Sequence, residues 1–421
     1  MANAKILRKK SSLFIGLLLG VSFMTHSMVT FAQTSTTTEE ISKVSEQPYR
    51  LDQLPMSKHI NVLTYQMPYL SGRMQDATAL IFYPKTEKPQ DGWRIVVWTH
   101  GTVGVGDRCA PSKNRLNDNF KLAAEALLAQ GYVIIAPDYE GLGTPGIHPY
   151  LHLESEARAA IYAVNSIKDH APEEFQGDWM VVGQSQGGQA SLGTAEYANH
   201  DPHFKGAVAG APASNLRMII QDVAPKAFND LDALDRKNHI PLEERNSIHS
   251  FATVLAYGAF VGVGIKAEKP NFDYLDLFYP EAQPIAKLAE GSNGEDGLCL
   301  RDLREHFKAD IIRFLETQSS AKLTQYPGIN SDTFQNHPTL IDFFEKSQPG
   351  TQKLDKPILI IQGEKDTNVP AAVTQKLVND LVQLGSNDVE LILVKDASHT
   401  EAIVWENDAV IQFVTEHMPA K

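Results

Sequence analysis

The sequence contains very little cysteine and comparatively little positive charge, and each shortage excludes a class of protein. Among its 421 residues there are only two cysteines, Cys109 and Cys299, too few for a disulfide-rich scaffold. Two cysteines without clustered histidine partners also argue against a zinc site. With 43% hydrophobic and 21% charged residues, the composition is typical of a globular protein and not of a disordered or polytopic membrane protein.

Acidic residues outnumber basic ones, which gives a formal net charge of −13. Such a surface repels the phosphates of nucleic acids and anionic lipid headgroups. We therefore expect no nucleic-acid partner. We also expect neutral substrates, such as esters, in preference to substrates that need strong positive patches.

The N-terminus has the composition of an export signal. Basic residues up to Lys10 precede a short apolar run over residues 13–21, and the small residues Thr30 and Ala32 follow at positions that a signal peptidase reads. We expect residues 1–32 to be a signal peptide, and the mature protein to be secreted or periplasmic with no stable membrane span. An uncleaved membrane anchor is the alternative.

Export bears on the two cysteines, because an exported protein meets oxidising conditions in which a pair of thiols tends to be joined. We therefore predict one disulfide, between Cys109 and Cys299. Two separate buried thiols are the alternative interpretation.

The pattern of apolar residues predicts an α/β fold with a mostly parallel sheet covered by helices on both faces. A polar, flexible lead is expected over residues 33–48, with structure beginning near residue 50. Strand-like and helical runs alternate over 49–212, helical patterns dominate over 213–349, and the alternation resumes over 350–421. The middle segment is therefore predicted to be a helical cap inserted between two parts of one core. Its predicted helices are 216–228, 246–263 and 303–315, and those of the core include 185–198, 371–384 and 400–417.

A candidate nucleophile lies between a predicted strand and a predicted helix. Ser185 is the central residue of Gly183-Gln184-Ser185-Gln186-Gly187, which follows the apolar run Val181-Val182. This is the G-x-S-x-G pattern of a nucleophile elbow, in which small flanking residues let a strained turn expose the serine hydroxyl. A purely structural glycine-rich turn is the alternative.

A serine hydroxyl needs a base to take its proton and an acid to orient that base. Asp366 and His399 each follow one of the last two predicted strands, so the order is Ser, Asp, His. Glu364 and Asp396 compete with Asp366 for the role of the acid. His100, His148 and His152 are other candidates for the base, but only His399 lies just after the last predicted strand.

The tetrahedral intermediate of such a reaction needs backbone N–H donors. One is expected from Gln186, directly after the nucleophile, and the other from the loop that begins His100-Gly101. Either Thr102 or Val103 is a candidate for the second donor.

Two further features of the sequence each allow two interpretations. Asp138 and Glu140 follow a predicted strand and are interpreted as loop-shaping residues rather than a catalytic pair of carboxylates. A loosely helical apolar stripe in the predicted cap, if it lined the site, would form an acyl tunnel, and plain packing is the alternative. The stripe consists of Phe251, Leu255, Tyr257, Phe260 and Val263.

From about residue 50 onward, the chain resembles the secretory lipase family, the fungal lipase A-like branch of the α/β-hydrolases and its exported bacterial relatives. The resemblance rests on three motifs: His100-Gly101-Thr102 leading into Cys109-Ala110-Pro111-Ser112, the run from Pro137 to Gly143, and Gly183 to Gly188. It implies an α/β-hydrolase fold and hydrolysis of carboxylic esters, often acylglycerols. It further implies the triad Ser185, Asp366 and His399, no metal or organic cofactor, and a disulfide from Cys109 to Cys299 in the cap. Gln186 departs from the smaller residue of some fungal members, which affects the shape of the acyl pocket more than the reaction.

The sequence thus predicts a serine esterase or lipase that acts on a small ester or lipid through an acyl-enzyme. A peptidase or an acyltransferase with the same triad is one alternative. A binding protein without catalysis on the same scaffold is another, although an intact Ser, Asp and His set argues against it.

Overall fold

The computed structural model describes residues 44–421, so the predicted signal peptide and most of the predicted lead lie outside the described residues. Nine strands form one mixed sheet in the order β1-β2-β3-β5-β4-β6-β7-β8-β9. The first three strands and the β3–β5 pair are antiparallel, and every other neighbouring pair is parallel. The strands are β1 (Ser45–Pro48), β2 (Ser57–Pro68), β3 (Met74–Pro84), β4 (Ile95–Thr99), β5 (Val133–Pro137), β6 (Trp179–Gln184), β7 (Phe204–Gly210), β8 (Ile358–Gly363) and β9 (Val389–Val394).

The α-helices follow the strands in chain order. They are α1 (Asp118–Gln130), α2 (Leu153–His170), α3 (Gln186–Tyr197), α4 (Leu216–Met218), α5 (Ala224–Lys237), α6 (Asn246–Ile265), α7 (Gln283–Ala286), α8 (Leu300–Thr317), α9 (Ser331–Asn336), α10 (Pro338–Lys346), α11 (Ala371–Gln383), α12 (Glu401–Trp405) and α13 (Asn407–His417). The mostly parallel sheet with flanking helices is the predicted fold class.

Apolar side chains leave the sheet on both faces, and a different set of helices covers each face. On one face, α2, α3 and α11 pack over buried residues such as Val97 and Val181. On the other, α1, α12 and α13 pack over residues such as Val96 and Val182. Alternation along each strand sends neighbours to opposite faces, so strands buried on both sides must be apolar throughout.

The edge strand β1 corrects one prediction, because it lies within the segment expected to be a flexible lead. Ser45–Pro48 pairs antiparallel with β2, and Glu46 accepts hydrogen bonds from the Asn61 amide and the Tyr83 hydroxyl. Its side chains are mostly exposed, so the strand has no apolar alternation. Backbone pairing to β2 holds the strand in place, and the composition of residues 45–48 does not reveal such pairing.

The segment between β7 and β8 contains α4 to α10 and no β-strand, and we call residues 213–349 the helical insertion. It has a hydrophobic cluster of its own, in which α6 packs against α5 and α8. By length and composition α6 could cross a membrane, but 72% of its most apolar window is buried within the protein, as in a core helix. The disulfide Cys109–Cys299 is present and joins the loop after β4 to the residue preceding α8.

Two predicted helices are broken. The helix predicted over 216–228 consists of α4, a π-helical turn at Ile219–Val223 and α5, whose first turn contains Pro225. A proline has no N–H for the preceding turn, so the regular hydrogen-bond pattern is interrupted there. The helix predicted over 400–417 is divided into α12 and α13 at Glu406.

Candidate active site

Ser185 occupies a sharp turn between the buried strand β6 and helix α3. Its backbone φ of 61° lies in the left-handed region, which residues other than glycine rarely adopt. The turn is tight enough to exclude side chains on both sides. A Cβ at Gly183 would lie 2.1 Å from Thr99 Oγ1, and one at Gly187 would lie 1.9 Å from the Thr99 carbonyl oxygen. The glycines of the motif are therefore sterically required.

The structure brings Ser185, His399 and Asp366 into one hydrogen-bonded chain. His399 Nε2 lies 2.8 Å from Ser185 Oγ, and His399 Nδ1 lies 2.7 Å from Asp366 Oδ2. Asp366 has a fully buried side chain, and that of His399 is 11% exposed. With Nδ1–H donating to the carboxylate, Nε2 is left as the acceptor that a serine hydroxyl needs.

Asp366 is held by its own loop in addition to His399. Its Oδ1 accepts hydrogen bonds from the backbone N–H groups of Asn368 at 2.8 Å and Val369 at 2.9 Å. The Gln362 side chain donates to its Oδ2 at 3.0 Å. These donors fix the position of the carboxylate.

The two competing acids take other positions. Asp396 forms an exposed ion pair with Lys365 at 2.6 Å, and Glu364 is exposed on the loop after β8. Neither makes a hydrogen bond to His399 among residues 44–421.

The other candidate histidines have partners away from the Ser185 hydroxyl. His100 Nδ1 lies 2.8 Å from the Gly101 carbonyl oxygen, and His148 Nδ1 lies 2.9 Å from the Glu140 carbonyl oxygen. His152 is buried at the start of α2. Burial lowers the pKa of His148 to about 3, so its ring is neutral.

Three backbone N–H groups near Ser185 make no hydrogen bond to any residue that the structure describes. They belong to the three residues predicted to supply oxyanion donors, Gln186, Thr102 and Val103. Gln186 is the first residue of α3, where helix geometry leaves the N–H without an internal partner. The side chain of Thr102 is engaged with the Tyr150 hydroxyl at 2.7 Å, and the Val103 carbonyl accepts from Leu300 N–H at 2.8 Å. The loop is thus fixed while its donors stay available.

Ser185 and His399 line a cavity of about 1560 Å³. The α/β core supplies most of the lining residues, polar as well as apolar, and the helical insertion supplies a smaller set that is mainly polar. The apolar residues of the core include Leu80, Trp98, Leu116, Phe120, Leu122, Ala123, Ala136, Ile403 and Val404, and the insertion contributes Leu231, Asn246, His249, Ser250, Thr253, Tyr257, Cys299, Leu300, Arg301 and Arg304.

The apolar stripe on α6 therefore serves mainly in packing. Only Tyr257 of its five members lines the cavity. Leu255, Phe260 and Val263 are buried in the hydrophobic cluster of the insertion, and Phe251 packs against that cluster. Of the two interpretations of the stripe, packing describes these four residues.

Sequence reasoning missed the polar network beneath the nucleophile. The Gln186 side chain donates to Glu156 Oε1 at 2.7 Å and lies 3.2 Å from His148 Nε2, which is free to accept because Nδ1 carries the proton. Glu156 also accepts from Leu151 N–H at 3.1 Å. The network thus ties the residue after the nucleophile to helix α2.

Glu156 had a signal in the sequence. It precedes Ala160 by four residues and Ala163 by seven, so helical spacing puts a carboxyl on the buried face of α2. Burial raises the pKa of Glu156 to about 8, which favours the neutral carboxyl at neutral pH. A second missed contact is the hydrogen bond from the Gln184 side chain to the His399 carbonyl at 3.0 Å, which ties the histidine loop to the elbow.

Asp138 and Glu140 have partners that fit a structural role. Asp138 accepts from Thr78 Oγ1 at 2.7 Å and from Ser112 N–H at 2.9 Å, and Glu140 accepts from Leu70 N–H at 2.8 Å. Burial raises the pKa of Asp138 to about 6 and that of Glu140 to about 7. Within the described part of the chain, no group of three His, Cys, Asp or Glu side chains is arranged to hold a metal ion.

Two family models match parts of the chain. The model described as Secretory lipase matches residues 118–235, which include Ser185, and the one described as Prolyl oligopeptidase family matches residues 310–418, which include Asp366 and His399. The comparison with curated proteins finds no match.

Solved structures with the same fold include two bacterial proteins and one fungal enzyme. The rice cell wall degrading esterase LipA of Xanthomonas oryzae is 19% identical, with a TM-score of 0.60 over 86% of this chain and 90% of its own. A putative hydrolase of Legionella pneumophila is 20% identical, with a TM-score of 0.61 over 88% and 92%. Candida antarctica lipase A in its closed state is 15% identical, with a TM-score of 0.63 over 89% and 81%.

At these identities the structural likeness establishes the fold, and the family match adds the resemblance to a lipase. Both agree with the mixed sheet and flanking helices described above. The chain has the α/β-hydrolase fold and resembles the secretory lipase family over residues 118–235.

Proposed function

We propose that this protein is an exported serine hydrolase that cleaves small or lipid esters through an acyl-enzyme on Ser185, with His399 as the base and Asp366 as its orienting acid. The observation that carries the proposal is the hydrogen-bonded chain Ser185–His399–Asp366 at the wall of a cavity large enough for an ester with a long acyl chain. The match to a secretory lipase family supports export as well as the reaction.

The first half of the reaction forms the acyl-enzyme. Ser185 Oγ attacks the ester carbonyl carbon while its proton passes to His399 Nε2. The carbonyl oxygen becomes an oxyanion, and the N–H of Gln186 with that of Thr102 or Val103 stabilises it. When the carbon–oxygen bond to the alcohol breaks, His399 returns the proton to the departing alcohol.

The second half repeats these steps with water. His399 takes a proton from a water molecule that attacks the acyl carbon, and then gives the proton to Ser185 Oγ as the acid leaves. Asp366 stabilises the positively charged imidazole in both halves and keeps Nε2 facing Ser185. We further propose that the helical insertion acts as a cap, since α6, α8 and the residues before them form one wall of the cavity.

The test of the nucleophile is labelling by a fluorophosphonate probe. Wild-type protein is expected to react covalently, and Ser185→Ala is expected not to react while keeping its fold. Ser191→Ala is a matched control, since Ser191 lies buried on α3, six residues after Ser185. Unchanged labelling of Ser185→Ala would contradict the assignment.

The test of the substrate is a rate series over p-nitrophenyl esters from acetate to palmitate, together with an emulsified triglyceride. The apolar wall from the core predicts activity that persists with long acyl chains. Rates confined to the shortest esters would exclude a lipase and leave an esterase.

Peptide hydrolysis is a second candidate, favoured by the match of residues 310–418 to the prolyl oligopeptidase family. That segment contains the acid and the base but not the nucleophile. Release of p-nitroaniline from acyl-prolyl anilides, compared with release of p-nitrophenol from the corresponding esters, distinguishes the two reactions. A peptidase would cleave the anilides at a rate comparable to that for the esters.

A further inference from the structure

The charge of the cavity wall is opposite to the charge of the chain. The described residues that line the cavity include four basic side chains, Arg115, Arg301, Arg304 and Lys365, and a single acidic one, Glu401. Lys365 is paired with Asp396, so the excess positive charge comes from the three arginines. The whole sequence, by contrast, has a net charge of −13. A cleft whose sign differs from that of the surrounding surface focuses a positive potential on its contents.

The cations at the helical insertion are concentrated on one face of α8. Arg301 and Arg304 are three residues apart on this helix, so both side chains project from the same face, and both line the cavity that contains Ser185. His249 on the neighbouring helix α6 lines the cavity as well. Its pKa is lowered by burial and by the nearby positive charges of Arg304 and Lys308.

These arginines lack strong partners within the described chain. Arg301 is exposed and has no acidic oxygen within 4 Å among residues 44–421. Arg304 has a side chain only 21% exposed, and its one ion pair is with Glu305, at 3.5 Å from Nε. Its buried Nε makes no hydrogen bond within the described residues. A half-buried guanidinium with an unused donor is costly unless a ligand supplies the acceptor.

Arg304 lines the same cavity as Ser185, His399 and Tyr257. Burial raises the pKa of the Tyr257 hydroxyl to about 12, with smaller contributions from the charge of Asp366, which raises it, and of Arg304, which lowers it. The core also lines this cavity with apolar side chains, which include Trp98 and Phe120. The cavity therefore combines apolar side chains of the core with basic side chains, two of which, Arg301 and Arg304, come from the insertion.

We propose that the preferred substrates are anionic amphipathic esters, whose carboxylate is bound by Arg301 and Arg304 while the apolar chain lies against the core wall. This inference rests on the proposed ester hydrolase and names its substrate class. A guanidinium presents paired N–H donors that match the two oxygens of a carboxylate, which a neutral ester lacks. It is the opposite of the neutral substrate that the net charge of the chain suggests.

The kinetic test compares esters matched in everything except the charge. One pair places the carboxylate on the acyl side, as in the mono-p-nitrophenyl ester of suberic acid against p-nitrophenyl octanoate. The other places it on the alcohol side, as in the butyrate esters of 4-hydroxyphenylacetic acid and of 4-methylphenol. In one of the two pairs we expect kcat/KM to favour the anionic ester by about tenfold or more at low salt, and the preference to shrink as salt is added.

The variants assign that preference to the insertion. Arg301→Gln with Arg304→Gln is expected to remove most of the anionic preference, measured as the ratio of the two kcat/KM values. Arg313→Gln is the matched control, because Arg313 lies on the same helix but pairs with Asp310 and does not line the cavity. A wild-type ratio of one or below in both pairs, or a ratio that the double variant leaves unchanged, overturns the inference.

An equilibrium measurement separates this inference from the proposed function. Calorimetric titration of Ser185→Ala protein with the anionic and the neutral ester of each pair needs no catalysis. Tighter binding of the anionic ester, lost in the double arginine variant, supports the anion site even if no ester is hydrolysed. Hydrolysis of neutral esters without any anionic preference in binding or rate overturns the anion site and leaves the ester hydrolase standing.

Discussion

The α/β core and the helical insertion make different contributions to the same cavity. The core holds the proposed nucleophile, acid and base after strands β6, β8 and β9, together with most of the apolar side chains of the wall. The insertion contributes polar and cationic side chains and none of the three reacting groups. We therefore propose that the core performs the reaction and that the insertion selects among substrates.

The largest effect is expected from the acid and the base in the core. His399→Ala and Asp366→Asn should each lower kcat by about 10⁴ or more, since they remove the proton acceptor or its correct tautomer. The measurement is p-nitrophenyl butyrate hydrolysis, with circular dichroism to verify the fold. Asp396→Asn, on a neighbouring loop, should keep nearly full activity. A comparable loss in Asp396→Asn would move the acid role to that residue.

The elbow in the core should be intolerant of a single methyl group. In Gly187→Ala the new Cβ would lie 1.9 Å from the Thr99 carbonyl oxygen, so we expect a loss of more than about 4 kcal/mol in the free energy of unfolding, or no folded protein. Gly72→Ala is the control, because its Cβ meets no atom within 4 Å and only the φ of +76° is strained. That variant should lose only about 1 kcal/mol. Equal losses of unfolding free energy in the two variants would show that the close contact with Thr99 does not determine the effect at Gly187.

The disulfide is the covalent link between the two regions. Reduction of Cys109–Cys299, which spans 190 residues, should lower the free energy of unfolding by about 2–5 kcal/mol, because the unfolded chain regains freedom. Urea unfolding with and without dithiothreitol measures the effect, and the Cys109→Ser, Cys299→Ser double variant should not respond to the reductant. An unaltered midpoint on complete reduction of the wild-type protein would contradict this role.

The smallest effect is expected from the buried carboxyl below the elbow. The pKa of Glu156 rises from 4.5 to about 8 on folding, so the folded state binds the proton more tightly than the unfolded state does. Its contribution to stability is complete below about pH 4.5 and is lost as the pH rises through about 8. Relative to wild type, Glu156→Gln should therefore gain about 2–3 kcal/mol between pH 6 and pH 9.

Thermal unfolding at several pH values measures that gain. Glu154→Gln is the control, since Glu154 lies on the same helix with a side chain about one-third exposed and paired with Arg158. Its stability difference from wild type should vary much less between the two pH values. A flat difference for Glu156→Gln would show that its carboxyl is ionised in the folded protein throughout this range.

Much of the core could be predicted because its signals are local. The parallel strands are continuous apolar runs, and the structure places β6, β8 and β9 within a few residues of their predicted positions. Ser185, Asp366 and His399 each follow one of these strands, and parallel strands bring their carboxyl ends to one edge of the sheet. Order along the chain was therefore enough to predict that these side chains meet.

The missed features depend on partners that are distant in sequence. Strand β1 is held by backbone pairing to β2, and Gln186 is held by Glu156, 30 residues earlier. The apolar stripe on α6 identified a helix correctly, but its periodicity could not tell whether the stripe faces the cavity or the interior of the insertion. Periodicity reports that a face is buried, and not what buries it.

The sequence by itself determined the sheet, the motif around Ser185 and the order of the three candidate catalytic residues, because each depends on neighbours along the chain. Only the tertiary structure decided which walls surround them. Arg301 and Arg304 belong to an acidic chain, yet folding places them in one cavity with Ser185 while most acidic side chains lie elsewhere. Local electrostatic potential depends on the positions of charges and not on their sum, and only folding sets those positions.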